Sequence, residues 1–204
     1  MQSKQRRAEP LPREDRRLAI IESILPLLVA RGTAVTTREM AEAAGIAEGT
    51  IFGVFPDKTA LIHEAVKVSM DPAPILSALA EIHPAAPLEV QLAEATRILL
   101  EHFERITVLV GILRTMPNPG GGPPAGARRY VAESHATVLA AVTDLFARHT
   151  DRLRIEPARA AAAFQGLIFA RLQPMLSPDE KLTTEEIVGI LLSGVSDPVK
   201  TVAT

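Results

Sequence analysis

Apolar positions in this chain recur at three- and four-residue intervals through most of its length, the spacing of helices that bury one face. Ile20, Ile21, Ile24, Leu27 and Leu28 define a first helix from Arg16 to Arg31, which Gly32 stops. Pro26 lies inside it, removes the hydrogen bond to the Glu22 carbonyl, and so predicts a kink or a local split. Thr36 and Thr37 offer an N-cap to a two-turn helix with Met40, Ala41 and Ala44 on its apolar face and Gly45 at its end. A third short helix from Glu48 to Val54 is closed by Phe55-Pro56-Asp57, and a fourth runs from Thr59 to Met70. Beyond Pro72, the Pro and Gly punctuation separates helices over about 73–82, 87–115, 126–149, 157–173 and 183–195. The fold class is therefore all-α.

Composition sharpens this reading. One Tyr, six Phe and no Trp among 204 residues, 47% of them hydrophobic, favour helices packed through aliphatic ridges over a sheet sandwich. The absence of Cys excludes disulfides and thiolate metal sites and fits a reducing compartment. No apolar run reaches the ~18 residues of a membrane span, and Met1 to Pro12 has basic residues without the apolar stretch of a signal peptide. The expectation is a cytoplasmic protein with no membrane association.

The net charge of −2 hides an asymmetry. Residues 1–17 hold six Lys or Arg against three Asp or Glu, a local +3 that leaves −5 for the rest. A basic end on an acidic body suits a protein that meets phosphates at one end. Residues 1–14, polar and interrupted by Pro10 and Pro12, read as a flexible basic arm.

A helix-turn-helix needs small residues at its tight turn and where its two helices touch, and Ala41, Gly45 and Ile46 occupy those places. Residues 16–66, RRLAIIESILPLLVARGTAVTTREMAEAAGIAEGTIFGVFPDKTALIHEAV, resemble the N-terminal domain of the TetR family of transcriptional regulators, with TTREMAEAAGIAEGTIF as its core and FPDKTAL following. The resemblance implies a three-helix DNA-binding domain over 15–58 and a helical effector-binding and dimerisation domain over 59–204. It also implies a homodimeric repressor that binds a palindromic operator and is released by a small-molecule effector.

Carried onto these positions, the resemblance places Thr37 against a phosphate and Arg38 within reach of a base, and puts Glu48, Gly49, Thr50 and Phe52 along the groove-entering helix. Lys58 matches the family's lysine at the start of helix four, where an ammonium suits a phosphate. Two positions depart from the family pattern. Phe52 stands where Tyr is common and offers only apolar contact, for example to a thymine methyl. Gly53 stands where a large or basic side chain is usual, and costs the helix about 1 kcal/mol relative to Ala. Each residue also has an ordinary role open to it: N-cap for Thr37, solvated charge for Arg38, surface lysine for Lys58.

In the C-terminal part, Ala160 to Leu172 combines small residues with Phe164, Leu167, Ile168 and Leu172, and Ile187 to Val195 is apolar nearly all round, so both helices should be buried. The resemblance assigns the last two helices to a four-helix bundle across the dimer axis. Polar groups on apolar faces between 87 and 173 nominate His102, Phe103, Tyr130, His135, Phe164, Gln165 and Phe169 for an effector cavity, with core packing as the competing role.

No metal or cofactor site is indicated. The glycine-rich PNPGGGPPAG over 117–126 lacks the Lys-Ser/Thr pair and the preceding strand of a phosphate loop, the histidines show neither HxxxH nor HExxH spacing, and no catalytic signature stands out. The competing functional reading is a TetR-like interaction protein with weak DNA affinity that acts through protein partners, motivated by Phe52 and Gly53. An α-helical enzyme is the more remote one.

Overall fold

The computed structural model describes residues 12–116, 125–173 and 177–195, the side chains of 125–131, 178 and 195 excepted. The described residues form helices α1 (Arg13–Arg31), α2 (Thr37–Ala43), α3 (Glu48–Val54), α4 (Lys58–Ser69), α5 (Ala73–Ala80), α6 (Leu88–Thr115), α7 (Ala125–Ala147), α8 (Pro157–Arg171) and α9 (Thr184–Val195), with short 3-10 turns between some of them. No strand occurs among the described residues. The chain divides into one compact unit of 1–69 with 108–117 and another of 70–107 with 118–204.

In the first unit, α1 packs on α2, α3 and α4. Ile20, Ile21, Ile24 and Leu28 of α1 are buried, as are Met40 and Ala41 of α2, Ile51 and Val54 of α3, and Leu61, Ile62, Ala65 and Val66 of α4. Helix α1 starts at Arg13, three residues before the predicted start. Pro12, which has no N–H to lose, accepts the Arg16 amide at 3.0 Å, and Glu14 and Asp15 place negative charge at the positive end of the helix dipole. Residues 13 and 14, expected in the arm, are therefore helical, and the arm's residues 1–11 lie outside the described residues. Of the expected kink or local split at Pro26, the split does not occur, and α1 runs as one helix through it.

Helix α2 begins as its sequence dictates. The Thr36 hydroxyl accepts from the Glu39 amide and the Glu39 carboxylate accepts from the Thr36 amide, a reciprocal capping box. Gly45 carries the turn into α3 at φ 64°, a left-handed conformation natural only to glycine, while the Ile46 amide reaches back to the Ala41 carbonyl at 3.0 Å.

The second unit has its own core. Leu88, Leu92, Leu99 and Phe103 of α6, Val142 and Phe146 of α7, Ala160, Ala161, Phe164 and Ile168 of α8, and Ile187 and Leu191 of α9 are all buried in one cluster. Of α9, expected to be buried, Ile187, Val188 and Leu191 are buried within the chain. Gly189, Ser193 and Gly194 are exposed and Ile190 is 49% exposed, because one face of α9 has no partner among the described residues. Residues 117–124 of the glycine-rich connection lie outside the described residues, while Ala125 and Gly126, expected in the loop, already belong to α7.

Candidate nucleic-acid interface

The helix-turn-helix is assembled by short-range bonds that the sequence requires and by one long-range clip that it does not announce. The Thr37 hydroxyl, on the first residue of α2, donates to the Glu48 carboxylate on the first residue of α3, tying the two helix starts together. Glu39 carries both the capping box and an ion pair with Arg31 at 2.6 Å. The Thr36 amide and the Arg31 guanidinium hold its carboxyl at a pKa of about 2, so it stays charged at any physiological pH.

The clip is Arg17. Its guanidinium donates to the Val54 carbonyl at 3.1 Å, pairs with Glu64 at 2.6 Å, and lies 4.8 Å from the centre of the buried Phe55 ring. Val54 ends α3, where carbonyls lack intrahelical partners and the dipole is negative. One cation from α1 therefore caps α3 and binds it to α4. Charge at Arg17 is visible in the sequence, but its partners lie 37 and 47 residues away.

What α3 presents outward follows from EGTIFGV. Ile51 and Val54 turn inward, Thr50 is half-buried, and Glu48, Gly49, Phe52 and Gly53 are exposed, Phe52 by 48%. A Cβ built on Gly49 or Gly53 meets nothing within 4 Å. The fold itself would accept alanine at both, and alanine would strengthen the helix. The two glycines stand one turn apart and leave a low stripe beside a projecting phenyl ring. Among the seven residues of α3 there is no Lys or Arg.

The remaining predicted contacts sit on neighbouring helices. Arg38, exposed on α2, pairs with Glu42 one turn on at 3.0 Å. Lys58 is the first residue of α4, its ammonium donating to the Thr33 carbonyl at 2.7 Å, and Asp57 caps the same helix by accepting the Ala60 amide at 2.7 Å. Two of the three ammonium protons of Lys58 remain for another acceptor.

The residues nominated for an effector cavity divide. His102, Phe103, His135 and Phe169 line one cleft of about 190 Å³ between α6, α7 and α8. Phe103 and Phe169 meet with ring centres 4.9 Å apart, and His135 stacks on Phe169 at 5.9 Å. Phe164 faces elsewhere, fully buried against Phe146 at 6.0 Å, and buried Gln165 does not line the cleft. Tyr130 lies in α7, but its side chain is outside the described residues. Burial and the nearby positive charge of Arg105 lower the His102 pKa to about 4.

Among the described residues, no three His, Asp or Glu gather as metal ligands would, and no helix is long and apolar enough to cross a membrane.

Comparison with known proteins bears directly on this unit. Residues 20–65 match the model of the bacterial regulatory proteins of the tetR family. A Mesorhizobium loti protein described as a TetR-family transcriptional regulator is 18% identical, with 92% of this chain and 100% of that one covered and a TM-score of 0.60. A TetR transcriptional regulator from Streptomyces coelicolor is 20% identical over 89% of this chain and 99% of its own, with a TM-score of 0.58. A Saccharomonospora viridis protein described as a transcriptional regulator, solved in complex with choline, is 18% identical over 90% and 99%, with a TM-score of 0.61. At such identities the likeness to solved structures is one of fold. A search of curated proteins found no match. The helix-turn-helix of α2 and α3, its capping box and its glycine turn thus lie in the segment of this chain that matches the tetR family of bacterial regulatory proteins.

Proposed function

We propose that this chain is a homodimeric repressor whose two α3 helices enter successive major grooves of a palindromic operator and whose affinity for that operator falls when a small molecule binds the second unit. The observation that carries the reading is α3 itself. Its outward face is exposed and free of packing demands, yet its start and end are fixed by Thr37–Glu48 and by the Arg17 clip. A rigid rod with a bare face is what groove insertion requires.

Division of labour among the contacts follows from chemistry. Arg38 and Lys58 supply hydrogen bonds and charge to phosphates, and Thr37 offers its backbone amide at the start of α2 while its hydroxyl holds Glu48, contacts that position the protein without reading sequence. Gly49 and Gly53 let the helix backbone approach base edges closely, and Phe52 meets a thymine methyl. Thr50 supplies the one hydroxyl of α3, and Glu48 accepts from a cytosine amino group. Operator recognition by this α3 is therefore weighted towards apolar contact and close fit, without the guanine contacts that arginine makes.

A second copy is the partner proposed for the exposed faces of α8 and α9. Ala162, Ala163, Gly166 and Ala170 on α8, and Gly189, Ile190 and Gly194 on α9, are exposed small or apolar residues that permit close helix approach. Effector binding then acts by population shift, favouring dimers whose reading heads no longer match the half-site spacing.

Fluorescence anisotropy on DNA from upstream of the chain's own gene, at several salt concentrations, tests the reading. The expected result is a specific complex that weakens steeply with salt, with Lys58→Ala lowering affinity about fivefold to tenfold and reducing the salt slope by about 0.9. Thr50→Ala should lower affinity for that sequence more than for unrelated DNA. Variants that bind as tightly as the parent at every salt concentration would overturn it. A lasting absence of any sequence-specific complex would favour the interaction protein that acts through protein partners.

A further inference from the structure

The cleft between α6, α7 and α8 has a wall whose chemistry selects among small molecules. It lies wholly within the second unit, and none of its lining residues is Asp, Glu, Lys or Arg. An ion entering it would lose water and find no opposite charge. Its size sets a second limit. An apolar cavity of ~150 Å³ holds benzene, so about 190 Å³ admits one six-membered ring with a small substituent.

Hydrogen-bonding capacity sets the third. The Ser134 hydroxyl donates to the Met70 carbonyl at 3.2 Å and the Thr107 hydroxyl to the Phe103 carbonyl at 2.8 Å. Both protons are committed, and both oxygens keep lone pairs free. His102, 4% exposed, lines the cleft with its Nδ1 unpartnered. Its low pKa keeps the ring neutral at pH 7. An unpaired buried imidazole is costly unless something else completes it. The Ser134 and Thr107 oxygens therefore offer acceptors, and the neutral His102 ring offers its Nδ1 as acceptor or donor according to its tautomer, around an aromatic floor of Phe103 and Phe169.

We infer that this cleft binds a neutral monocyclic aromatic molecule carrying one hydrogen-bond donor, a phenol or an arylamine, with its ring against Phe103 and Phe169 and its donor directed to the polar wall that includes His102. Binding itself does not depend on the repressor reading. That reading enters only in the consequence, that the same molecule releases DNA.

Isothermal titration of the full chain without DNA, using phenol, toluene, benzoate and choline as probes, separates the two. Phenol should bind about tenfold or more tightly than toluene, and benzoate and choline should bind more weakly than either. His102→Phe should abolish the advantage of phenol over toluene while toluene binding persists, which also shows that the variant folds. His102→Gln, which retains an acceptor, should keep much of that advantage. Preference for choline or benzoate, no binding of phenol by the folded parent, or an undiminished phenol preference in His102→Phe would each overturn the inference. Anisotropy with added phenol then reports on the regulatory reading alone. Phenol that binds without releasing DNA would leave the site standing and sink the ligand-relief mechanism.

Discussion

Phe164→Ala should lower the unfolding free energy by about 3–5 kcal/mol, because it empties a fully enclosed site in the core of the second unit. Phe164 packs edge-on against Phe146 at 6.0 Å among buried residues of α6, α7, α8 and α9. The neighbouring aromatic of the same helix is a control. Phe169 is 36% exposed at the cleft, so Phe169→Ala should cost only about 1 kcal/mol while weakening ligand binding. Urea denaturation with an unchanged m-value measures both. Equal costs would mean that Phe164 faces a void and that the division between core and cleft is wrong.

Arg17→Leu should cost about 2 kcal/mol and weaken DNA binding together. The side chain is 20% exposed and the substitution removes a carbonyl cap, an ion pair and a cation–π contact at once. Leu retains much of the apolar stem, so the loss falls on the polar head. The Glu64 carboxylate is 36% exposed and recovers water, which keeps the cost below that of a fully buried pair. Amide exchange along α3 should quicken by tenfold or more, since the C-terminal end of a seven-residue helix loses its anchor. An Arg17→Leu protein with parental stability and exchange would show that the clip contributes nothing.

These two residues also mark what the sequence discloses. Local rules locate the elements well: Thr36 and Glu39 announce the start of α2, Gly45 the turn, and the apolar period the extents of α5 to α9 within a few residues. Those signals act over three or four positions, so one strand of sequence contains them. The Arg17 clip joins residues 37 and 47 positions apart and leaves no periodic trace. The same holds for the cleft. His102 and Phe103 are adjacent on α6, but their meeting with His135 and Phe169 depends on how three helices pack. Phe164 and Phe169 looked alike as apolar positions of one helix. Five residues at 100° each turn them to opposite requirements, one inward to the core and one to the cleft. The early start of α1 was hidden for another reason, since Pro12 reads as a loop signal although proline is at home beside a helix N-terminus.

The exposed face of α9 makes the same point about assembly. An apolar all-round sequence predicts burial, and a single chain leaves Ile190 half-exposed. A second copy, as in the proposed dimer, would cover that face and reconcile the two.

Dimethyl sulfate footprinting of the complex on upstream DNA tests the central claim most directly, because it distinguishes guanine N7 in the major groove from adenine N3 in the minor groove. The account predicts N7 protection in two blocks whose centres lie ~34 Å apart or a multiple of that distance. Protection confined to adenine N3, or a stable complex in which no N7 is shielded, would contradict it.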